Sequence, residues 1–397
     1  MSAQLNCSAF ATRDNFDAYV ISLLNNTHHN LTLLSQCKSQ ICTALWGQGN
    51  ADISGIGMLV GYLLEQVLGL LLVTACLIAS HRGMISSKSV SERALGSFND
   101  CATFFAFSVQ IAALVVLMKE DFGISTSSMG DATVRITQAV SVLVLLPLLY
   151  VLMPSIYRPS SAESDTQTAE KGEQADDPVP QSSRRFLLLV LCWLLAFYPF
   201  YSKMNAQFGP SRICHTCAIT PPEFAIVEEM CTERISTITA AEDALMTALE
   251  MLAYIPLSLL IVGRVMWLGL EKHHHDSKLY ARLLAWGRNY VTRKLRFRLR
   301  IGCLMSIPLL ACGLLWTILR TRRFQQQMSK MTSSGDSDAQ WTFGQVVSVT
   351  VFAPVIVECW SAFQDAREQG EGSEASVRSD ERASPERMVA EAKRGSV

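Results

Sequence analysis

Apolar residues run through this chain in long blocks. Seven stand out: Ile53–Ala79, Cys101–Met118, Val134–Met153, Phe186–Ser202, Ala244–Leu270, Ile301–Leu319 and Trp341–Phe363. About 20 apolar helical residues cross a bilayer, and these blocks bracket that length. In lipid, backbone polar groups are satisfied only within a helix or a closed barrel. Barrel strands alternate over about ten residues, and 68-LGLLLVTACLIA-79 does not alternate. The pattern predicts an all-α, polytopic transmembrane bundle of seven spans. Pro147, Pro199, Pro256, Pro308 and Pro354 fall inside spans and mark expected kinks. The fourth block is short and ends 197-FYPFYS-202, whose aromatics also suit an interfacial belt. The fifth is long, which places Glu250 near the headgroups.

Composition agrees. Charged residues make up 17% of the 397, against about 25% in soluble proteins, and mean hydropathy is +0.23. The net charge of −1 gives no field for nucleic acid. Residues 1–20 lack the basic and apolar regions of a signal peptide, so the first span is expected to carry the N-terminus across.

Positive charge in short loops sets orientation. With the N-terminus outside, 22 of the 34 Lys and Arg fall on the inner side and 11 on the outer. That favours N-outside, C-inside, against the outlying 320-RTRR-323. The tail 1–52 is then outer and holds three glycosylation sequons, at Asn6, Asn25 and Asn30. Cys7, Cys37, Cys42, Cys214, Cys217 and Cys231 all fall in the tail or in the outer loop 203–243, where disulfides persist. Six cysteines allow fifteen pairings, so a stapled outer cap is expected without a connectivity. The C-x-x-C of Cys214 and Cys217, with Cys231 as a third ligand, is a weaker zinc reading. Asp52 or Ser54 is expected to cap the first helix, and Gly55, Gly57 and Gly61 to form a close-packing face. The loop 154–185 and the tail 364–397 are polar and read as disordered and cytosolic.

The lead-in 46-WGQGNADISGIGMLVGY-62, preceded by Cys37 and Cys42, resembles that of a family of uncharacterised multi-pass membrane proteins of filamentous fungi. Two further stretches, 97-SFNDCATFFAFSVQIAAL-114 and 341-WTFGQVVSVTVFAPVIVE-358, resemble the family's second and last helices. Ala51 stands where the family pattern has proline. The resemblance implies a helical membrane protein and transfers no catalytic residue.

Polar groups inside spans are the candidate chemistry. Glu65 and Gln66 lie mid-span, where an ionisable group costs at least ~2.5–3.5 kcal/mol unless paired. They read as a proton or cation site, as a polar ligand contact, or as an interhelical hydrogen bond with Gln110. Arg264 and Glu358 sit at similar depth and suggest an ion pair between the fifth and seventh spans. His273, His274 and His275 read as linker. Residues 278–300 carry eight Lys and Arg among Leu, Trp, Tyr and Phe. They read as an amphipathic basic helix against anionic lipid or a cytosolic partner. No Walker loop, H-E-x-x-H, G-x-S-x-G or dinucleotide fingerprint is present, so neither an enzyme nor a cofactor is expected. The lipid bilayer is the expected partner, in the plasma membrane or another secretory-pathway membrane. Three classes fit: a receptor or sensor, an ion-coupled carrier using Glu65, and a structural membrane protein.

Overall fold

The computed structural model describes residue 7 and residues 36–46, 50–82, 85–120, 131–150, 181–208, 229–232, 237–273, 293–332 and 342–364. Among these residues there are helices and no strand. The helices are α1 Lys38–Trp46, α2 Ala51–Ser54, α3 Ile56–Arg82, α4 Ile85–Glu120, α5 Asp131–Leu143, α6 Gln181–Phe208, α7 Ala240–His273, α8 Arg293–Thr332 and α9 Phe343–Thr350. Beyond a turn at Val351 and Phe352 the last helix resumes over 353–364.

Six stretches are long and apolar enough to cross a membrane: Ala51–Ala79, Arg93–Met118, Arg185–Asn205, Ala240–Met266, Leu304–Met331 and Phe343–Gln364. Their outward faces are apolar too. Leu71, Phe104, Leu259, Leu309 and Val357 are each more than half exposed. A belt of that kind is a liability in water and natural in lipid. The six helices fit a multi-pass integral membrane protein.

The third expected span differs in kind. α5 has only 13 residues and stops at Leu143. Turns follow over 144–148. Between Ala132 and Tyr150 every residue is buried except the partly buried Arg135. This element is the centre of the bundle, packed against α4, α6, α7 and α8. Its break has a local cause. Pro147 has no N–H to continue the ladder. The backbone tightens instead: Leu145 N donates to Val142 O and Leu146 N to Leu143 O, both at 3.2 Å, and Tyr150 N to Pro147 O at 3.1 Å. These are i→i+3 turns of the 3₁₀ type. Pro354 acts similarly, and Val355 N donates to Phe352 O at 3.1 Å. Pro199, Pro256 and Pro308 lie inside helices that continue through them.

Three boundary expectations change. The short fourth block is the middle of α6, which has 28 residues. Residues 181–185, expected as disordered loop, are its first turn, and Arg185 pairs with Asp100 at 2.8 Å. The N-cap of the first helix is Asn50, not Asp52 or Ser54: its Oδ1 accepts from Asp52 N at 3.0 Å. Asp52 accepts instead from Thr342 Oγ1 at 2.6 Å.

That bond starts a parallel seam between α3 and α9. Gly57 N donates to Gln345 Oε1, and Ser348 Oγ donates to Gly57 O, both at 3.0 Å. A Cβ on Gly61 would stand 2.9 Å from the Ser348 Cβ. The small-residue face is therefore a docking face for α9.

Two disulfides form, Cys7–Cys37 and Cys42–Cys231. They hold α1 at the end of the bundle where α2, α5, α7 and α9 begin. There Trp46 meets Phe324 of α8 edge-on at 4.9 Å. Cys231 is thus paired with Cys42 and is no zinc ligand. Cys214, Cys217, Asn6, Asn25, Asn30, His274, His275 and the segments 154–180 and 365–397 lie outside the described residues.

Candidate functional site

The break in α5 frees the Ser141 carbonyl in a buried interior and leaves Leu143 O with only the tightened bond from Leu146 N. In a regular helix Ser141 O would accept from Leu145 N, which here turns to Val142 O. Leu143 O would accept from residue 147, a proline. Buried carbonyls need partners, and neighbouring helices supply them. Gln110 Nε2 of α4 donates to Ser141 O at 2.7 Å, while Ser141 Oγ donates to Gln110 Oε1 at 2.6 Å. Gln66 Nε2 of α3 donates to Leu143 O at 3.1 Å. The expected bond from Glu65 or Gln66 to Gln110 is therefore replaced: both glutamines serve the broken helix.

Glu65 is left over. It is fully buried, and neither carboxylate oxygen has a hydrogen-bond partner. Tyr62 and Cys192 lie within its electrostatic reach. The Tyr62 hydroxyl is already committed to Ile53 O at 3.0 Å. One turn further along α3, Gly69 leaves room for Phe98 and Tyr150, and the Tyr150 hydroxyl is also unpartnered. A bare carboxylate in such a place is costly, so a proton or cation is its natural counterpart.

Toward the disulfide end, α5 carries further polar links. Gln138 Nε2 donates to Ser202 Oγ of α6 at 3.0 Å, and Gln325 Nε2 of α8 donates to Thr133 Oγ1 at 3.2 Å. Arg135 pairs with Asp243 of α7, which also accepts from Gln207 of α6. Lys203 Nζ stands 4.0 Å from Asp243, its side chain 4% exposed. Gln207 Nε2 also donates to Thr247 Oγ1 at 3.1 Å. Asp243, Thr247 and Glu250 follow i, i+4, i+7 along one face of α7. Glu250 is therefore enclosed by protein. It is 1% exposed, and its Oε1 has no partner. Arg135, Gln207, Asp243 and Thr247 line a partly open cavity of about 480 Å³, together with Phe208, Ile238 and Met251.

The start of α7 is fixed by a capping box, Thr239-Ala240-Ala241-Glu242. Thr239 N donates to Glu242 Oε2 at 2.8 Å, and Glu242 N to Thr239 Oγ1 at 3.2 Å. Arg320 of α8 clamps Glu242 through Nε at 3.0 Å and Nη2 at 3.3 Å. This places the outlying 320-RTRR-323. Arg320 is an ion-pair partner and Arg322 is buried, both inside a continuous helix.

Two other expectations do not assemble. Arg264 is exposed, Glu358 partly buried, and no ion pair joins them among the described residues. Residues 293–300 of the basic stretch are not a separate surface helix, because their backbone runs straight into the spanning part of α8. Residues 278–292 lie outside the described residues. Arg135, Lys203 and Asp243 were not singled out by the sequence pattern. The T-x-x-E box was a legible signal for where α7 begins, and so for which residues ride its first turns. Comparison of the chain with family models, curated proteins and solved structures yields no match.

Proposed function

We propose that this protein is a multi-pass membrane carrier that moves a small solute in step with a proton or cation bound at Glu65. One observation carries the reading. Glu65 is enclosed with both oxygens unpartnered, and the next residue, Gln66, donates to the broken central helix. Discontinuous helices at the core of a bundle, next to an ionisable group, are what ion-coupled carriers use. In this reading the disulfide end faces outside, the N-terminal tail is glycosylated, and the C-terminus is cytosolic. Membership of the fungal family that the lead-in resembles belongs to the same proposal.

The test is proton entry into liposomes holding the purified protein and a trapped pH-sensitive dye, across a panel of small solutes. Solute-driven acidification should appear in the wild type and vanish in a folded Glu65→Gln variant. A Glu65→Gln protein with undiminished coupling would sink the reading.

A receptor reading draws on a different feature. α8 has 40 residues, about 60 Å of helix, and joins the Glu242 clamp at the disulfide end to the basic residues 293–300. Deleting 278–292 would then abolish signal output, leave delivery to the membrane intact and leave proton coupling untouched.

A further inference from the structure

The cavity beside Asp243 has a size, a shape and a charge balance that together specify a ligand class. Its volume of about 480 Å³ lies within the ~300–1,000 Å³ of small-molecule sites. Its polar wall holds one cation and one anion from different helices, Arg135 of α5 and Asp243 of α7. Gln207 and Thr247 add an amide and a hydroxyl. Phe208, Ile238 and Met251 give an apolar wall opposite. Behind the wall Lys203 stands 4.0 Å from Asp243 and the buried Glu250 lies two turns further along α7, so the cluster holds two cations and two acids, and a ligand of net charge would upset that balance. A ligand with one charge of each sign inserts into the ion pair and keeps the balance. Its carboxylate takes Arg135 in a bidentate fork, its ammonium takes Asp243, and its side chain takes the apolar wall.

We propose that this cavity binds a small zwitterion, an α-amino acid with an apolar side chain. In naming a cargo, the proposal rests on the carrier reading. As a binding site it stands without that reading. The link between the two is α5, whose Arg135 lies in the cavity and whose break lies beside Gln66 and the neighbouring Glu65.

The experiment is thermal unfolding of the purified full-length protein in detergent with three probes: leucine, 4-methylpentanoate and 3-methylbutylamine. They share one carbon skeleton and differ only in charged ends. Leucine should raise the midpoint by roughly 2–4 °C at ten times its dissociation constant, and the two single-ended analogues should not. Arg135→Gln and Asp243→Asn should lose the shift. If those variants unfold, Ala248→Phe decides. It fills the cavity from a lining residue outside the ion pair, so it should keep the ligand-free midpoint and lose the leucine shift. An equal shift from either analogue, a leucine shift that survives Ala248→Phe, or a shift from short-chain phosphatidylethanolamine and none from leucine would each overturn the proposal. Leucine binding should persist in Glu65→Gln. Binding without Glu65-dependent proton entry sinks the carrier reading alone, and proton entry without binding sinks the cargo alone.

Discussion

Gln110 and Ser141 exchange two hydrogen bonds across the α4–α5 contact. Interhelical polar bonds in membranes average about 0.6 kcal/mol by double-mutant cycle, with a maximum of about 1.7. This pair should lie near the upper figure, because a carbonyl freed by the helix break is at stake along with a hydroxyl. Gln110→Leu should cost about 1–2 kcal/mol. A cycle with Ser141→Ala, read by denaturant unfolding in detergent, should show coupling near 1 kcal/mol. Purely additive single costs would mean that the two side chains do not bond. At this scale the sequence was legible where a residue contradicts its surroundings. Glu65 stands in an apolar run, and that alone marks it. Glu250 stands in one too, but its place near one end of a long run speaks only of headgroup depth and not of the protein around it. What buries it is the Lys203 and Asp243 side of the bundle, contributed by another helix and by the preceding turns. No local pattern carries that information.

An apolar run with a proline has two outcomes, a continued helix or a broken one. The choice depends on who answers the freed carbonyl. For Pro147 the answer comes from Leu146 N, tightened onto Leu143 O, and from Gln66 of α3, while Gln110 of α4 serves Ser141 O beside it. Pro147→Ala restores an N–H that competes with Leu146 N and Gln66 for Leu143 O. The helix interior then regains up to ~3 kcal/mol of local preference. The expected result is an unfolding midpoint no lower than wild type together with at least a tenfold loss of coupled flux, because α5 loses the break. Unchanged flux would make the break a packing feature only. The α3–α9 seam makes the opposite kind of prediction. Gly61→Leu pushes a side chain against Ser348, where even a Cβ would stand 2.9 Å away. Overpacking of that sort costs typically 1–3 kcal/mol, visible as a lowered midpoint, and Gly61→Ala should cost less. The glycine spacing made this face legible beforehand. Its partner helix was not legible, since nothing in α3 names α9. The buried nature of α5 was hidden for a related reason: a 20-residue apolar block reads alike whether lipid or protein surrounds it.

At the scale of the molecule, the two disulfides gather distant parts of the chain to one end of the bundle. Cys42–Cys231 spans 189 residues, and a bridge over so long a loop constrains the unfolded chain by about 2–5 kcal/mol. Reduction should therefore lower the unfolding midpoint, and Cys42→Ser should do the same without reductant. Sidedness follows from the same pair of bonds. Disulfides persist outside the cytosol, so the end holding α1 should face outward. Arg293–Arg300 would then lie on the cytosolic side, where positive charge collects. The check uses intact cells, a membrane-impermeant maleimide and a protein in which Cys101, Cys214, Cys217, Cys303, Cys312 and Cys359 are replaced by serine. The buried Cys76 and Cys192 should not react. Labelling of Cys7, the partly exposed half of the Cys7–Cys37 bridge, should then require reductant but no permeabilisation. Labelling that needs permeabilisation and no reductant would put α1 in the cytosol. The cap would then be reduced in the cell, the cavity beside Asp243 would open inward, and a solute entering there would be leaving the cell.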